Sequence, residues 1–188
     1  MRIKRVVIRG IGLVSPLGRG VEALIGGIEA GRSAVVAMPG WSQYQGMKSL
    51  VAAPSKVEGE KEIPRQFRRS MGNMSIFAVQ AAQEALSDAA FPREELTGGR
   101  VGCIIGSTMG GAQSLNEVFE LMVPKKDLAQ LTSMKFFQCV SHTAALNVAQ
   151  YLGIRGVTMA TSAACASAIQ ALGAGYDQIR LGRQDAVI

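Results

Sequence analysis

The chain has 188 residues, of which 48% are hydrophobic and 18% are charged, so its composition excludes a disordered protein and suffices for one folded domain. Its 20 basic and 14 acidic residues give a net charge of +6, which suits an acidic protein, a nucleic acid or an anionic membrane as partner. Because no dense Lys/Arg run is interleaved with aromatic residues, nucleic acid is the least favoured of these partners.

The first half of the chain combines short apolar segments, turns and one long amphipathic stretch. The apolar run at residues 6–8 predicts a buried strand, and residues 21–30 predict a short helix. Residues 33–62 predict irregular structure with room for a short strand near residues 50–51. A long helix is then predicted from Asn73, as its cap, to about Ala90. Its core face is expected to contain five apolar side chains: Ile76, Phe77, Val79, Ala82 and Leu86.

The second half alternates strands and helices. Strands are predicted at residues 100–105, 157–161 and from 185 onwards, and helices at residues 114–122, 141–152 and from about 165 to 182. Pro124 is expected to break the first of these helices. The last helix is expected to bury one apolar stripe: Ile169, Leu172, Tyr176 and Ile179. This alternation indicates an α/β layered fold with a largely parallel sheet, and the absence of a linker or repeat indicates one domain over residues 1–188.

Membrane insertion, disulfide formation and metal binding are not favoured by the sequence. Residues 156–176 carry no charge, but they are mostly small residues, which predicts a buried strand and helix rather than a membrane span. The three cysteines, Cys103, Cys139 and Cys165, are odd in number and widely spaced, which argues against a disulfide framework or zinc site. Free thiols fit a reducing compartment, and the basic start of the chain is not followed by a signal-peptide core, so we expect a cytoplasmic protein.

The most informative residue is Cys165, because a strand ends, the chain turns and this cysteine stands at the head of the long helix. The positive end of a helix dipole stabilises a thiolate, and a thiolate attacks acyl thioesters. Backbone N–H groups of the turn are a candidate oxyanion hole, and the small neighbouring side chains leave space for a substrate carbonyl. The alternative interpretation is a buried structural cysteine in an alanine-rich helix.

The glycine-rich loop at residues 106–111 follows the predicted strand at residues 100–105. Its backbone N–H groups are suited to cradling a phosphate, but it lacks the Gly-Lys-Ser/Thr ending of a P-loop. A tight turn without any ligand is the alternative.

Several motifs, taken in order, resemble those of bacterial type I and II β-ketoacyl-acyl carrier protein synthases over the whole chain. They are the opening at residues 5–12 with the turn at 15–18, Gly31-Arg32-Ser33, the segments 46–49 and 68–74, the loop 106–111, the lead-in 153–156, Cys165 itself and the helix end at 181–185. The sequence departs from the usual pattern at Arg9, Ala34 and Ala163, and none of these departures removes the nucleophile.

The resemblance implies one pseudo-symmetric half of a thiolase-like layered α-β-α fold with a mainly parallel mixed sheet. It also implies a decarboxylative Claisen condensation without a cofactor, in fatty acid, polyene or polyketide biosynthesis. Cys165 would carry the acyl group, and the His, His and Lys that complete such sites would lie in a second half that this chain lacks. We therefore expect the chain alone to be inactive.

The resemblance further implies an acyl carrier protein as partner and a homodimer or a heterodimer with a related subunit. Met109 would line the acyl pocket, with Phe137 of the partner subunit closing it; ordinary core packing is the alternative role of Met109. Two basic clusters would meet the acidic carrier protein, unless they are simply solvated surface: Arg65, Arg68 and Arg69, and Lys125 and Lys126.

Three other functions stay open at this point. The chain resembles a non-catalytic chain-length-determining subunit, although such subunits usually lack the nucleophile. It is also compatible with a thiolase-like or chalcone-synthase-like enzyme acting on CoA esters. The third function is a cysteine hydrolase, in which Cys165 would have to pair with His142, the one histidine of the sequence. The simpler interpretation of His142 is a residue at a helix start or at a subunit interface.

Overall fold

A computed structural model describes residues 4–188 of the chain, apart from the side chain of Lys125. The helices are α1 (Val21–Glu29), α2 (Arg65–Arg68), α3 (Asn73–Asp88), α4 (Ala112–Lys125), α5 (Ser133–Cys139), α6 (Thr143–Leu152) and α7 (Ser167–Arg180). The strands are β1 (Val14–Ser15), β2 (Gly18–Arg19), β3 (Val36–Ala37), β4 (Val51–Ala52), β5 (Val101–Gly106), β6 (Thr158–Thr161) and β7 (Ala186–Val187). Most predicted elements are therefore present, with small shifts of their ends.

The central sheet has three strands in the order β6-β5-β7, and both pairs are parallel. Cys103 is in register with Thr158 and Gly106 with Thr161, so β5 and β6 end at the same edge. This confirms the predicted α/β fold with a parallel sheet. The edge where β5 and β6 end is also where the loop 106–111 and the segment containing Cys165 begin.

The two remaining strand pairs are short antiparallel hairpins, β1 with β2 and β3 with β4. The predicted strand at residues 6–8 is wrong: no strand is present there, and Val7 and Ile8 are 55% and 74% exposed. The chain meets α3 only after these residues, where the Ile11 N–H donates to the Asp88 carboxylate at 2.9 Å. A β-carbon on Gly10 would come within 2.1 Å of the Ala85 carbonyl oxygen, so the glycine permits this close approach.

The core lies between α3, α6 and β5. Val79 of α3, Val148 of α6 and Cys103 of β5 are completely buried, and they belong to one continuous apolar cluster. The predicted core face of α3 is confirmed, except that Phe77 is only partly buried. On α6, the residues buried in the same cluster are Ala145, Val148, Ala149 and Leu152.

Helix α7 presents a different face to the sheet than the sequence predicted. Ile169, Leu172 and Tyr176 are 65%, 57% and 42% exposed, so the predicted buried stripe is wrong. The buried side consists of small residues instead: Ser167, Ala171 and Gly175. Small side chains allow α7 to approach the sheet closely, and the bulky apolar side chains therefore point away from it.

Two helix ends also differ from the predictions. Gly72, not Asn73, is the N-cap of α3, and Asn73 is the first helical residue, whose side-chain amide donates to Gln113 Oε1 at 2.9 Å. Pro124 lies inside α4, which ends one residue later at Lys125. The proline lacks the N–H that would bond to the carbonyl four residues earlier, and the helix ends within one residue of it. No helix within residues 4–188 is long and apolar enough to cross a membrane.

Candidate active site at the turn before α7

The candidate nucleophile lies in a tight turn between β6 and α7. The turn is closed by hydrogen bonds from Ala166 N–H to the Ala163 carbonyl at 2.9 Å and from Ser167 N–H to the Ala164 carbonyl at 3.2 Å. Cys165 is exposed and precedes the first residue of α7 by two positions. The interpretation of Cys165 as a buried structural cysteine is therefore wrong.

Ala164 has a φ of 48°, in the left-handed region that residues other than glycine seldom adopt. This backbone conformation costs about 1–2 kcal/mol for an alanine. Such strain persists only where surrounding contacts hold it, and it is frequent at functional sites. The residue immediately before Cys165 is therefore a point at which the chain stores strain.

Three hydroxyl groups hold this turn. Ser167 is buried; its Oγ lies 2.7 Å from the Ala164 carbonyl oxygen and accepts the N–H of Ala163 at 2.8 Å. Thr108 Oγ1, from the loop after β5, lies 2.9 Å from the same carbonyl and 3.0 Å from Ser167 Oγ. Thr161, at the end of β6, donates its hydroxyl to the Ser167 carbonyl at 2.8 Å. The turn is thus tied to both strand ends.

Thr108 and Ser167 are site residues that were not predicted from the sequence. The available signals were a hydroxyl residue two positions after the cysteine and another inside the glycine-rich loop. Serine and threonine often stabilise turns through hydrogen bonds to nearby backbone groups. Which backbone group each hydroxyl contacts depends on how β5 and β6 are paired, and local sequence does not contain that information.

The three cysteines occupy different environments. Cys103 is fully buried in β5, and desolvation raises the pKa of its thiol to about 12. Cys139 is buried at the end of α5, where desolvation also raises its thiol pKa. A thiol that stays protonated is a poor nucleophile, so exposure and chemistry both favour Cys165 as the reactive residue.

The loop at residues 106–111 is a tight turn in which the N–H groups of Ser107 and Gly111 are engaged. Ser107 N–H donates to the Thr161 carbonyl, and Gly111 N–H donates to the Cys139 carbonyl at 3.2 Å. Gly110 has a φ of 70°, and a β-carbon there would come within 2.4 Å of the Cys139 carbonyl oxygen. These N–H groups are not free to bind a phosphate, so the tight-turn interpretation is the better one.

Met109 and Phe137, the predicted pocket residues, are not brought together within this chain. Met109 is 69% exposed. A cavity of about 370 Å³ lies beside its loop, lined by Asn73, Met74, Phe77 and residues 110–114. Phe137 is partly buried and lines a separate depression of about 150 Å³ together with Gln66, Arg69, Ser70, Met134 and Gln150.

The predicted carrier-docking residues lie on two helices. Arg65 and Arg69 are exposed at the two ends of α2, whereas Arg68 is half-buried and donates to the Glu60 carbonyl at 3.1 Å. Lys126 is exposed just after α4. Lys125 ends α4, but its side chain lies outside the described residues.

His142 is an exposed residue at the N-cap position of α6. Its imidazole makes no hydrogen bond to any residue in the described part of the chain. The helix-start interpretation of His142 is therefore preferred to a Cys-His pair. Within residues 4–188, no three His, Cys, Asp or Glu side chains are grouped closely enough to hold a metal ion.

Comparisons with known proteins agree over nearly the whole chain. The sequence model of the family described as "Beta-ketoacyl synthase, N-terminal domain" matches residues 3–188. The chain is 26% identical over 185 residues to 3-oxoacyl-[acyl-carrier-protein] synthase 1 of Haemophilus influenzae, covering 98% of this chain and 45% of that protein.

Solved structures give the same picture. A β-ketoacyl synthase from Burkholderia phymatum superposes with a TM-score of 0.87 at 36% identity, over 97% of this chain and 45% of that one. The ketosynthase of a type II polyketide synthase, solved in complex with its acyl-carrier protein AntF, shares the fold with a TM-score of 0.74 at 20% identity, over 97% of this chain and 49% of that one.

The chain spans about half the length of the proteins it matches. The family match nevertheless covers almost every residue, and the fold agrees with the thiolase-like half that the motifs implied. The chain therefore belongs to the β-ketoacyl synthase family, whose N-terminal domain it contains.

Proposed function

We propose that the complete protein is a 3-oxoacyl-[acyl-carrier-protein] synthase in which Cys165 carries the growing acyl chain. The Cys165 thiolate attacks the carbonyl carbon of an acyl thioester, the bond from that carbon to the carrier sulfur breaks, and the carrier leaves as a thiolate that takes up a proton from water. Malonyl-carrier protein then loses carbon dioxide, and the resulting carbanion attacks the Cys165 thioester. The carbon–sulfur bond breaks, the thiolate is restored, and the product is a 3-oxoacyl-carrier protein.

One observation carries this proposal: an exposed cysteine stands in a strained turn at the start of a helix, in a chain of the β-ketoacyl synthase family. Exposure gives a carrier-bound substrate access to the sulfur. The other two thiols are buried, and desolvation raises both of their pKa values. Cys165 is therefore the best candidate among the three.

The acyl pocket is proposed to begin beside Cys165 and to include Met109. This residue directly follows Thr108, whose hydroxyl contacts the carbonyl of Ala164, so the loop and the turn are in direct contact. The nearby cavity is lined mainly by apolar and small groups, including Met74 and Phe77. We propose that Phe137 contributes to this pocket only across a subunit interface, in a homodimer or a heterodimer.

Acyl carrier protein is the proposed macromolecular partner. Exposed Arg65, Arg69 and Lys126 and the net charge of +6 favour an acidic protein, and charge complementarity chiefly accelerates encounter. A neighbour with the same fold was solved in complex with its carrier protein. Arg68 is a weaker candidate because its guanidinium already binds a backbone carbonyl, and Lys125 is proposed from its place in the sequence alone.

The test is a condensation assay with the complete protein, hexanoyl-acyl carrier protein and malonyl-acyl carrier protein. The proposal predicts a 3-oxooctanoyl-carrier protein, with no product from Cys165→Ala. Full activity of Cys165→Ala, or no product from the wild type, would contradict the proposal. The second outcome would favour a non-catalytic chain-length-determining subunit. A parallel reaction with hexanoyl-CoA and malonyl-CoA distinguishes carrier-protein substrates from CoA esters.

A further inference from the structure

The orientation of Cys165 depends on the peptide unit that precedes it. A peptide group is planar, so the Ala164 carbonyl and the Cys165 nitrogen move as one rigid unit. Three groups lie within hydrogen-bond distance of that carbonyl oxygen: Ser167 N at 3.2 Å, Ser167 Oγ at 2.7 Å and Thr108 Oγ1 at 2.9 Å. Fixing this oxygen therefore fixes the backbone from which the Cys165 side chain projects.

The peptide unit requires such support because Ala164 has a positive φ of 48°. Without external contacts, an alanine at this position would favour a negative φ, which would rotate the following peptide. The hydroxyl contacts oppose that relaxation. They come from both sides of the turn, since Ser167 belongs to α7 and Thr108 belongs to the loop after β5.

The two hydroxyls have different surroundings. Ser167 is 4% exposed and also accepts the N–H of Ala163, so it is part of the local fold of the turn. Thr108 is exposed and is supplied by a segment that is 56 residues away from Ala164 in sequence. Its hydroxyl is the one contact to this carbonyl that can be removed without disturbing the core.

We infer that Thr108 and Ser167 are positioning residues that hold the Ala164–Cys165 peptide in the orientation needed for acyl transfer. This inference rests on the proposed function. It also gives the loop at residues 106–111 a second role, because the same loop would contact the acyl chain through Met109 and the nucleophile turn through Thr108.

The test compares two reactions of Cys165 in the complete protein carrying Thr108→Val. Acylation by hexanoyl-acyl carrier protein requires one direction of attack, whereas iodoacetamide, a small free reagent, can reach an exposed thiol from several directions. The inference predicts that acylation slows about fivefold, the rate equivalent of one ordinary hydrogen bond. Alkylation by iodoacetamide is expected to change less than about twofold, since access to the sulfur is unaltered.

Three further variants separate hydrogen bonding from general damage. Thr108→Ser retains the hydroxyl and should restore most of the acylation rate. Thr97→Val is the matched control, because the hydroxyl of exposed Thr97 donates to the Glu94 carbonyl instead of contacting the turn. It should leave acylation near the wild-type rate. Ser167→Ala should slow acylation at least as much as Thr108→Val, provided that its circular dichroism spectrum is native.

The outcomes are distinguishable. Equal acylation rates for wild type and Thr108→Val, or equal slowing of acylation and alkylation, would overturn the inference while leaving the proposed function intact. Equal slowing by Thr108→Val and Thr108→Ser would also overturn it. If the wild type takes no acyl group from the carrier protein, the proposed function itself fails, and the inference fails with it.

Discussion

Gly106 packs directly against Ser167, so that a β-carbon at position 106 would come within 2.3 Å of the Ser167 carbonyl oxygen. This contact joins the end of β5 to the first turn of α7, next to the candidate nucleophile. Gly106→Ala should therefore displace the start of α7. We expect a loss of about 1–3 kcal/mol in the free energy of unfolding, as for other overpacked sites, and slower acylation of Cys165. Urea denaturation and the acyl-transfer assay measure the two effects.

Gly173 provides the matched control for this substitution. It lies in α7, and a β-carbon there would meet no atom within 4 Å. Gly173→Ala should therefore raise the free energy of unfolding by about 0.5–1 kcal/mol, because alanine has the higher helix propensity. If Gly106→Ala were as stable as Gly173→Ala, the close contact between Gly106 and Ser167 would be wrong.

Glu84 on α3 holds the N-terminal segment in place. One carboxylate oxygen accepts the N–H of Leu13 at 2.9 Å, and the other accepts the N–H of Val21 at 2.7 Å, at the first turn of α1. Glu84→Ala removes both acceptors and should lower the free energy of unfolding by about 2–3 kcal/mol, whereas Glu84→Gln retains one acceptor and should cost about 1 kcal/mol.

Chemical denaturation of both Glu84 variants measures these losses. Glu94 is a suitable control because it is exposed and its carboxylate makes no hydrogen bond to the described part of the chain. Glu94→Ala should change stability by less than about 0.5 kcal/mol. Equal stabilities for Glu84→Ala and Glu94→Ala would show that the carboxylate does not anchor the segment.

Asp185 connects the start of β7 to the start of β5. It accepts two hydrogen bonds from Arg100, at 2.8 and 2.9 Å, and one from Lys4 at 2.9 Å, and these hold the pKa of its carboxyl well below the usual range. A lowered folded-state pKa adds stability above the unfolded value of about 3.9, and that stability is lost as the pH falls further. Because the pair is half-exposed, Asp185→Asn should cost only about 0.5–1 kcal/mol at pH 7.

The pH dependence of unfolding distinguishes this electrostatic effect from a packing effect. The difference in stability between wild type and Asp185→Asn should shrink as the pH is lowered below about 4. Asp177→Asn, at an exposed carboxylate of α7 without an ion pair to the described residues, should show no such difference. A constant difference between wild type and Asp185→Asn at all pH values would contradict the ion-pair account.

The three thiols should differ sharply in reactivity. At pH 8, iodoacetamide should modify Cys165 in the native protein, whereas Cys103 and Cys139 should react only after unfolding. The reason is that both are buried and desolvation raises their pKa values, that of Cys103 to about 12. Peptide mass spectrometry before and after denaturation measures this order. Labelling of native Cys103 at the rate of Cys165 would contradict the buried environment.

Local sequence patterns predicted the elements of the core well. The helical periodicity of α3 and α6 indicates one wide buried face on each helix, and the apolar run of β5 indicates a strand buried on both faces. The structure buries these residues. The same reasoning was wrong at residues 6–8. Their apolar run is typical of a buried strand, but they pair with no strand in the described part of the chain, and Val7 and Ile8 are exposed.

Helix α7 shows why side-chain size alone is an unreliable guide to the buried face. Ala171 and Gly175 face the sheet because close packing requires small residues, while Leu172 is exposed in this chain. The position of Cys165 was predictable from the strand-turn-helix pattern. The contacts of Thr108 and Ser167 were not, because they depend on the register in which β5 and β6 pair.

The most direct test of the central claim is intact-protein and peptide mass spectrometry of the complete protein after incubation with hexanoyl-acyl carrier protein. We expect one hexanoyl group, attached to Cys165 as a hydroxylamine-labile thioester and absent from Cys165→Ala. An acyl group on Cys103 or Cys139, or no acyl group under conditions in which iodoacetamide still modifies Cys165, would contradict the central claim.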